Sequence, residues 1–119
     1  MSTPAKLKLT IYQGATFKRR LRWMDATRQP IDLTGCTARM QVREEIESPT
    51  VLLGLTTENA RIALGSAAGT IDLTIAATDT AALTWAAGVW DLEIVHPGGA
   101  VTRLAQGSVV VSPEVTRGG

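Results

Sequence analysis

A single cysteine, Cys36, stands in the 119 residues, so no disulfide can form within the chain. Its thiol reads as a small packed hydrophobe, because free cysteine is among the most buried residue types. No run of about 18 apolar residues occurs, and no apolar stretch follows a basic start near Met1. These absences argue against membrane insertion and against a secretory signal, and the expectation is a soluble chain made in the cytoplasm. Net charge is nearly missing as well. Twelve basic residues against eleven acidic ones leave a formal +1, so the field of the whole molecule draws in neither nucleic acid nor anionic membrane. Any such partner would have to meet a local patch.

Reactive chemistry is equally sparse. The one histidine, His96, directly precedes Pro97 in a predicted turn, a place for a solvent-facing ring more than a general base. The GSAAG stretch at 65–69 lacks a following Lys-Ser/Thr pair, so it is not a phosphate-cradling loop. Glu44, Glu45 and Glu47 cluster around Pro49, but no histidine is near and no calcium-loop spacing surrounds them. They read as a solvated loop. No catalytic residue, no cofactor site and no metal site is expected, and the chain is not expected to be an enzyme.

What the sequence does contain is alternation. Leu7, Leu9 and Ile11 oppose Lys8 and Thr10 before Gln13-Gly14-Ala15 interrupts. Phe17, Leu21 and Trp23 then oppose Lys18, Arg20 and Arg22, while Arg19 breaks the apolar face and predicts a bulge or a sheet end. A polar turn at 25–30 and an extended link at 31–35 lead into Thr37–Arg43, where Ala38, Met40 and Val42 oppose Arg39, Gln41 and Arg43. Further strands are predicted at 51–57, 62–64 and 70–76, with 65–69 as a flexible surface turn. The only candidate helix is a turn or two near 78–83, capped by Thr78 or Asp79. It predicts a corner between two sheets, with Leu83 and Trp85 plugging the end of the core. Trp90, Leu92 and Ile94 then share one parity, and Pro97-Gly98-Gly99 reverses the chain into a last Val-rich strand.

About seven to nine short strands, turn signals and no long helix describe an all-β, antiparallel sandwich or small barrel. The strand, helical corner, strand, hairpin order favours an immunoglobulin-like β-sandwich with one short helical turn, built as a single domain over 1–119, in which 113–119 is a flexible tail. The inward parities predict a core of Leu9, Ile11, Leu21, Met40, Val42, Leu73, Ile75, Leu92 and Ile94.

The segments IYQGATFKRRLRW, PIDLTGCTARMQVRE, GTIDLTIAATDTAAL and VWDLEIVHPGGAVTRLAQGSVVVSPEVTR together resemble small phage and prophage structural proteins of the tail and baseplate. The likeness is greatest to their immunoglobulin-like adaptor modules, including the N-terminal module of upper-baseplate receptor-binding assemblies. The resemblance implies a virion structural protein, located in the tail or baseplate, that docks other tail, baseplate or fibre proteins and forms a homo-oligomer within the particle. The residues offered for such an interface are the positive stripe Lys18, Arg20 and Arg22 and the negative loop Glu44, Glu45 and Glu47. Nucleic acid is not expected as a partner, since Phe17 and Trp23 take the parity opposite the basic stripe and so provide no stacking platform beside it. The alternative is a carbohydrate-binding or adhesive sandwich, with Trp85 or Tyr12 as an exposed loop aromatic.

Overall fold

The structure, a computed structural model, describes residues 3–117. The alternating runs form strands β1 (Ala5–Tyr12), β2 (Phe17–Arg22), β3 (Thr37–Arg43), β4 (Leu53–Thr56), β5 (Ile62–Leu64), β6 (Thr70–Ile75), β7 (Ala87–Val95) and β8 (Val101–Ser112). A 3-10 turn at Ser66–Ala68 and one short helix, α1 (Ala77–Ala81), are the helical pieces among the described residues. The strands make a five-stranded sheet in the order β1-β8-β7-β3-β4 and a three-stranded sheet in the order β2-β6-β5. The protein is all-β, and apolar side chains of both sheets enter one buried cluster.

Eight of the nine expected core residues are at most 3% exposed; Leu21 is half-buried and packs against them. Trp90 (3% exposed) completes the inward face of β7, its indole N–H donating to the Ser108 carbonyl at 3.0 Å. That bond satisfies a polar atom which burial would otherwise leave unpaired.

One pairing departs from an antiparallel plan: β1 runs parallel to β8, Leu9 opposite Val109 and Ile11 opposite Val111. The reason lies at Gln13–Thr16. Gly14 takes φ 84° and the Ala15 amide donates to the Tyr12 carbonyl at 3.0 Å, so the chain leaves one sheet for the other instead of folding β2 back along β1. Leu7 faces Gly107, where an added Cβ would collide with the Leu7 carbonyl, so only glycine admits this approach of β1. Nor does Arg19 mark a bulge: the β2–β6 register is continuous, and Arg19 is exposed because β2 is an edge strand. A bulge occurs instead in β8. Leu92 faces Ala105 and Glu93 faces Arg103, which leaves Leu104 unopposed.

Helix α1 forms the corner between β6 and β7, with Leu83 and Trp85 packed against the core beyond it. The expected caps fail. Ala76 holds the N-cap position without a side-chain bond, and Thr78 and Asp79 lie inside the helix. Asp79 in the first turn still suits the helix dipole, and it pairs with Arg61 at 3.0 Å. The polar residue that anchors the corner is Thr80, which is fully buried. Its hydroxyl donates to the Ala15 carbonyl at 2.8 Å, has the Ala77 carbonyl as a second acceptor at 3.1 Å, and accepts from the Gly14 amide at 3.0 Å. Thr80→Val keeps the shape but leaves a half-buried amide and carbonyl without partners. We expect a loss of about 1–3 kcal/mol, measured by denaturant unfolding, with Thr80→Ser retaining most of the stability.

The link at 31–35 is more than a connection. Leu33 is 1% exposed, its amide donates to the Ser66 carbonyl at 2.9 Å, and Asp32 Oδ1 accepts from the Thr34 amide and hydroxyl at 2.9 and 2.6 Å. The stretch at 65–69, expected as a flexible turn, is thus tied to its neighbour as a 3-10 turn ending at a buried Gly69. The tail expected at 113–119 begins with an anchor, the Glu114 amide donating to Gln13 Oε1 at 2.9 Å. Residues 118–119 of that expectation lie outside the described residues.

Candidate functional site

The expected positive stripe lies on the outward face of β2, with Lys18, Arg20 and Arg22 all exposed. Antiparallel pairing sets Arg20 directly opposite Asp72 of β6, and the guanidinium grips the carboxylate through Nε–Oδ1 at 2.6 Å and Nη2–Oδ2 at 3.0 Å. Arg20 is therefore engaged within the chain, whereas Lys18 and Arg22 have no carboxylate partner among the described residues. The hydrogen bond from Arg20 holds the Asp72 carboxyl below its ordinary range, assisted by the charges of Arg20 and Arg22 and opposed by desolvation. A depressed folded-state pKa adds stability that is complete above the unfolded carboxylate range, about pH 4, and disappears as pH falls through the lowered value. Thermal melts between pH 7 and pH 3 should thus fall less steeply for Asp72→Asn than for the unaltered chain. The difference will be small, since both groups are partly solvated.

Glu44, Glu45 and Glu47 are exposed on the loop between β3 and β4, which belongs to the other sheet. Within one molecule the two expected charge clusters are not brought into contact: no ion pair joins them among the described residues. The loop is closed by Arg43, whose guanidinium donates to the Ser48 carbonyl at 2.7 Å and to Gln41 Oε1 at 2.9 Å. At its crest Ile46 is 82% exposed.

The outer face of the five-stranded sheet holds a feature that sequence reasoning did not single out, a groove of about 540 Å³. Lys6 and Lys8 of β1 form one wall, Gln41, Arg43 and Ile46 the other, and Asp91 and Gln106 belong to the floor. On this face Arg39 pairs with Glu93 at 2.8 Å and Arg103 with Asp91 at 3.6 Å. Lys6, Lys8 and Arg43 have no carboxylate partner among the described residues. The outward parity of Lys6 and Lys8 is legible in the sequence; their place beside β8 is not, because nothing local encodes a pairing between the two ends of the chain.

His96 is half-buried, not solvent-facing as its turn position predicted. The hairpin seats it between three neighbours: Thr102 Oγ1 lies 3.0 Å from Nε2, Cys36 Sγ lies 3.7 Å from Nδ1, and the Trp23 ring is 6.0 Å away between centroids. Cys36 is half-buried and packed against the core. Of the two aromatics suited to sugar stacking, Trp85 is half-buried against the core and its indole N–H has no partner among the described residues, whereas Tyr12 is 62% exposed. Among the described residues no cluster of three His, Cys, Asp or Glu could hold a metal ion, and no helix is long and apolar enough to cross a membrane. No protein-family model matches the chain, and none of the curated proteins matches it.

Proposed function

We propose that the chain is a non-enzymatic docking module, a structural protein of a phage tail or baseplate built as an immunoglobulin-like sandwich. The observation that supports it best is the strand order. A β2-β6-β5 sheet against a sheet in which β3, β7, β8 and an added β4 are neighbours supports this reading, because in immunoglobulin-like domains a second sheet can gain strands beside its central three. The one-turn corner between β6 and β7 lies where such domains cross between sheets. The sequence resemblance to adaptor modules supplies the setting: repeated copies in a tail or baseplate, joining other tail or fibre proteins. Polar and charged sheet faces then do the work, with Lys18 and Arg22 on one side of the molecule and the loop at 44–47 on the other. Charges at such interfaces set orientation and partner choice more than affinity.

The test is incorporation. With Lys18→Glu and Arg22→Glu together, and the fold checked by circular dichroism, the protein should be depleted from purified particles relative to the unaltered chain. Full incorporation would remove the stripe from the interface, and absence of the unaltered protein from particles would overturn the virion assignment. The carbohydrate-binding alternative rests on Tyr12, and glycan-array binding lost in Tyr12→Ala would favour it.

A further inference from the structure

We propose that the outer face of the five-stranded sheet is a self-complementary interface for a second copy of this chain. In the pair, the acidic loop at 44–47 of each copy sits over Lys6 and Lys8 of the other.

The register places the complementary groups. Arg43, Val89, Ser108 and Lys8 lie in one row across β3, β7, β8 and β1, and Gln41, Asp91, Gln106 and Lys6 lie in the row two residues along. The two walls of the groove are thus three strand spacings of about 4.8 Å, or roughly 14 Å, apart. Its midline falls between β7 and β8. A two-fold axis along that midline, parallel to the strands, exchanges the β3 side of one copy with the β1 side of the other. The loop that follows β3 then meets the lysines of β1. An isologous interface requires one patch to carry both members of each contact. Here the loop on one flank holds three exposed glutamates next to Arg43, which the two-fold sets opposite Lys8, and the other flank holds two lysines without carboxylate partners among the described residues.

Two further observations favour a second copy. Ile46 stands 82% exposed among those glutamates while lining the groove, so pairing would cover an apolar side chain that the single chain leaves in water. A formal charge of +1 also lets two copies approach without appreciable long-range repulsion.

Sedimentation equilibrium of the purified chain, from micromolar to millimolar, should show a monomer–dimer equilibrium that weakens with added salt. Lys6→Glu with Lys8→Glu, or Glu44→Lys with Glu47→Lys, should each weaken it by roughly tenfold or more. An equimolar mixture of the two doubly reversed chains should restore a mixed dimer. Ile46→Ser, which leaves every charge in place, should weaken association as well, and Lys18→Glu on the opposite sheet should not. A chain monomeric throughout, a dimer indifferent to the reversals, or a mixture that fails to pair would each overturn the proposal. A monomer that instead binds polyglutamate through Lys6 and Lys8 would assign the groove to an acidic partner of another kind. The inference stands apart from the virion assignment, because it is read on the isolated chain and particle incorporation does not bear on it.

Discussion

Leu92→Asp should abolish cooperative folding. Leu92 has no exposed surface, and its cross-strand neighbours are Met40 on β3 and Ala105 on β8. Neither offers a cation or a hydrogen-bond donor from its side chain, so the new carboxylate must stay unpaired or take up a proton. Burying such a group costs several kcal/mol, a large part of the 5–15 kcal/mol that typically holds a domain together. The expected result is loss of the β-sheet circular dichroism signal and of a sigmoidal melt at 25 °C. Leu92→Met, close in volume and apolar, should cost less than about 1.5 kcal/mol and keep the transition. A Leu92→Asp chain with an unchanged melt would mean that β7 does not face the core.

The second large effect is expected from Gly107→Ala, a change of one methyl group. The new Cβ would meet the Leu7 carbonyl, a backbone atom that cannot turn aside as a side chain does. Either β1 lifts from β8 or both strands distort. Overpacking of this kind costs about 1–3 kcal/mol, and in a chain of this size each kcal/mol lowers the melting temperature by roughly 4 °C. Hydrogen exchange separates the outcomes: β1 amides should lose protection while those of β3 and β7 keep theirs. If the groove pairs two copies, the same variant should also weaken dimerisation, since β1 carries Lys6 and Lys8.

These two expectations show where the sequence was legible. Leu92 announced itself by parity, as did Leu9, Met40, Val42 and Ile75, because an outward-inward alternation is written into consecutive residues. The helical corner was legible too, from alanines between two strands with Gly88 close behind. Gly107 was not, since the need for glycine arises from a strand at the opposite end of the chain. The same holds for Thr80 and Leu33: a hydroxyl inside a polar run and a leucine in a link have no local mark of burial, and contacts with Ala15, Gly14 and Ser66 decide it. His96 followed the turn rule in its backbone and departed from it in its side chain, because Thr102 and Cys36 arrive from other elements. Of the charged residues, Lys18, Arg22 and the three glutamates are exposed, as strand parity and loop position imply. The capture of Arg20 by Asp72 depended on the β2–β6 register, which no short window of sequence contains.

The parallel seat of β1 also has a kinetic side. Leu9 and Val109 lie at nearly opposite ends of the chain, and closing so long a loop comes late in folding because its entropy cost precedes any reward. During synthesis β1 emerges well before β8, yet its place opens only when β8 has been made. Until then the seven-residue alternation from Lys6 to Tyr12 is an apolar-faced strand with unsatisfied amides, free to enter the β8 edge of a neighbouring copy. Crowded nascent chains are therefore expected to exchange first strands, and the chain's own β1 must arrive at its seat ahead of a neighbour's.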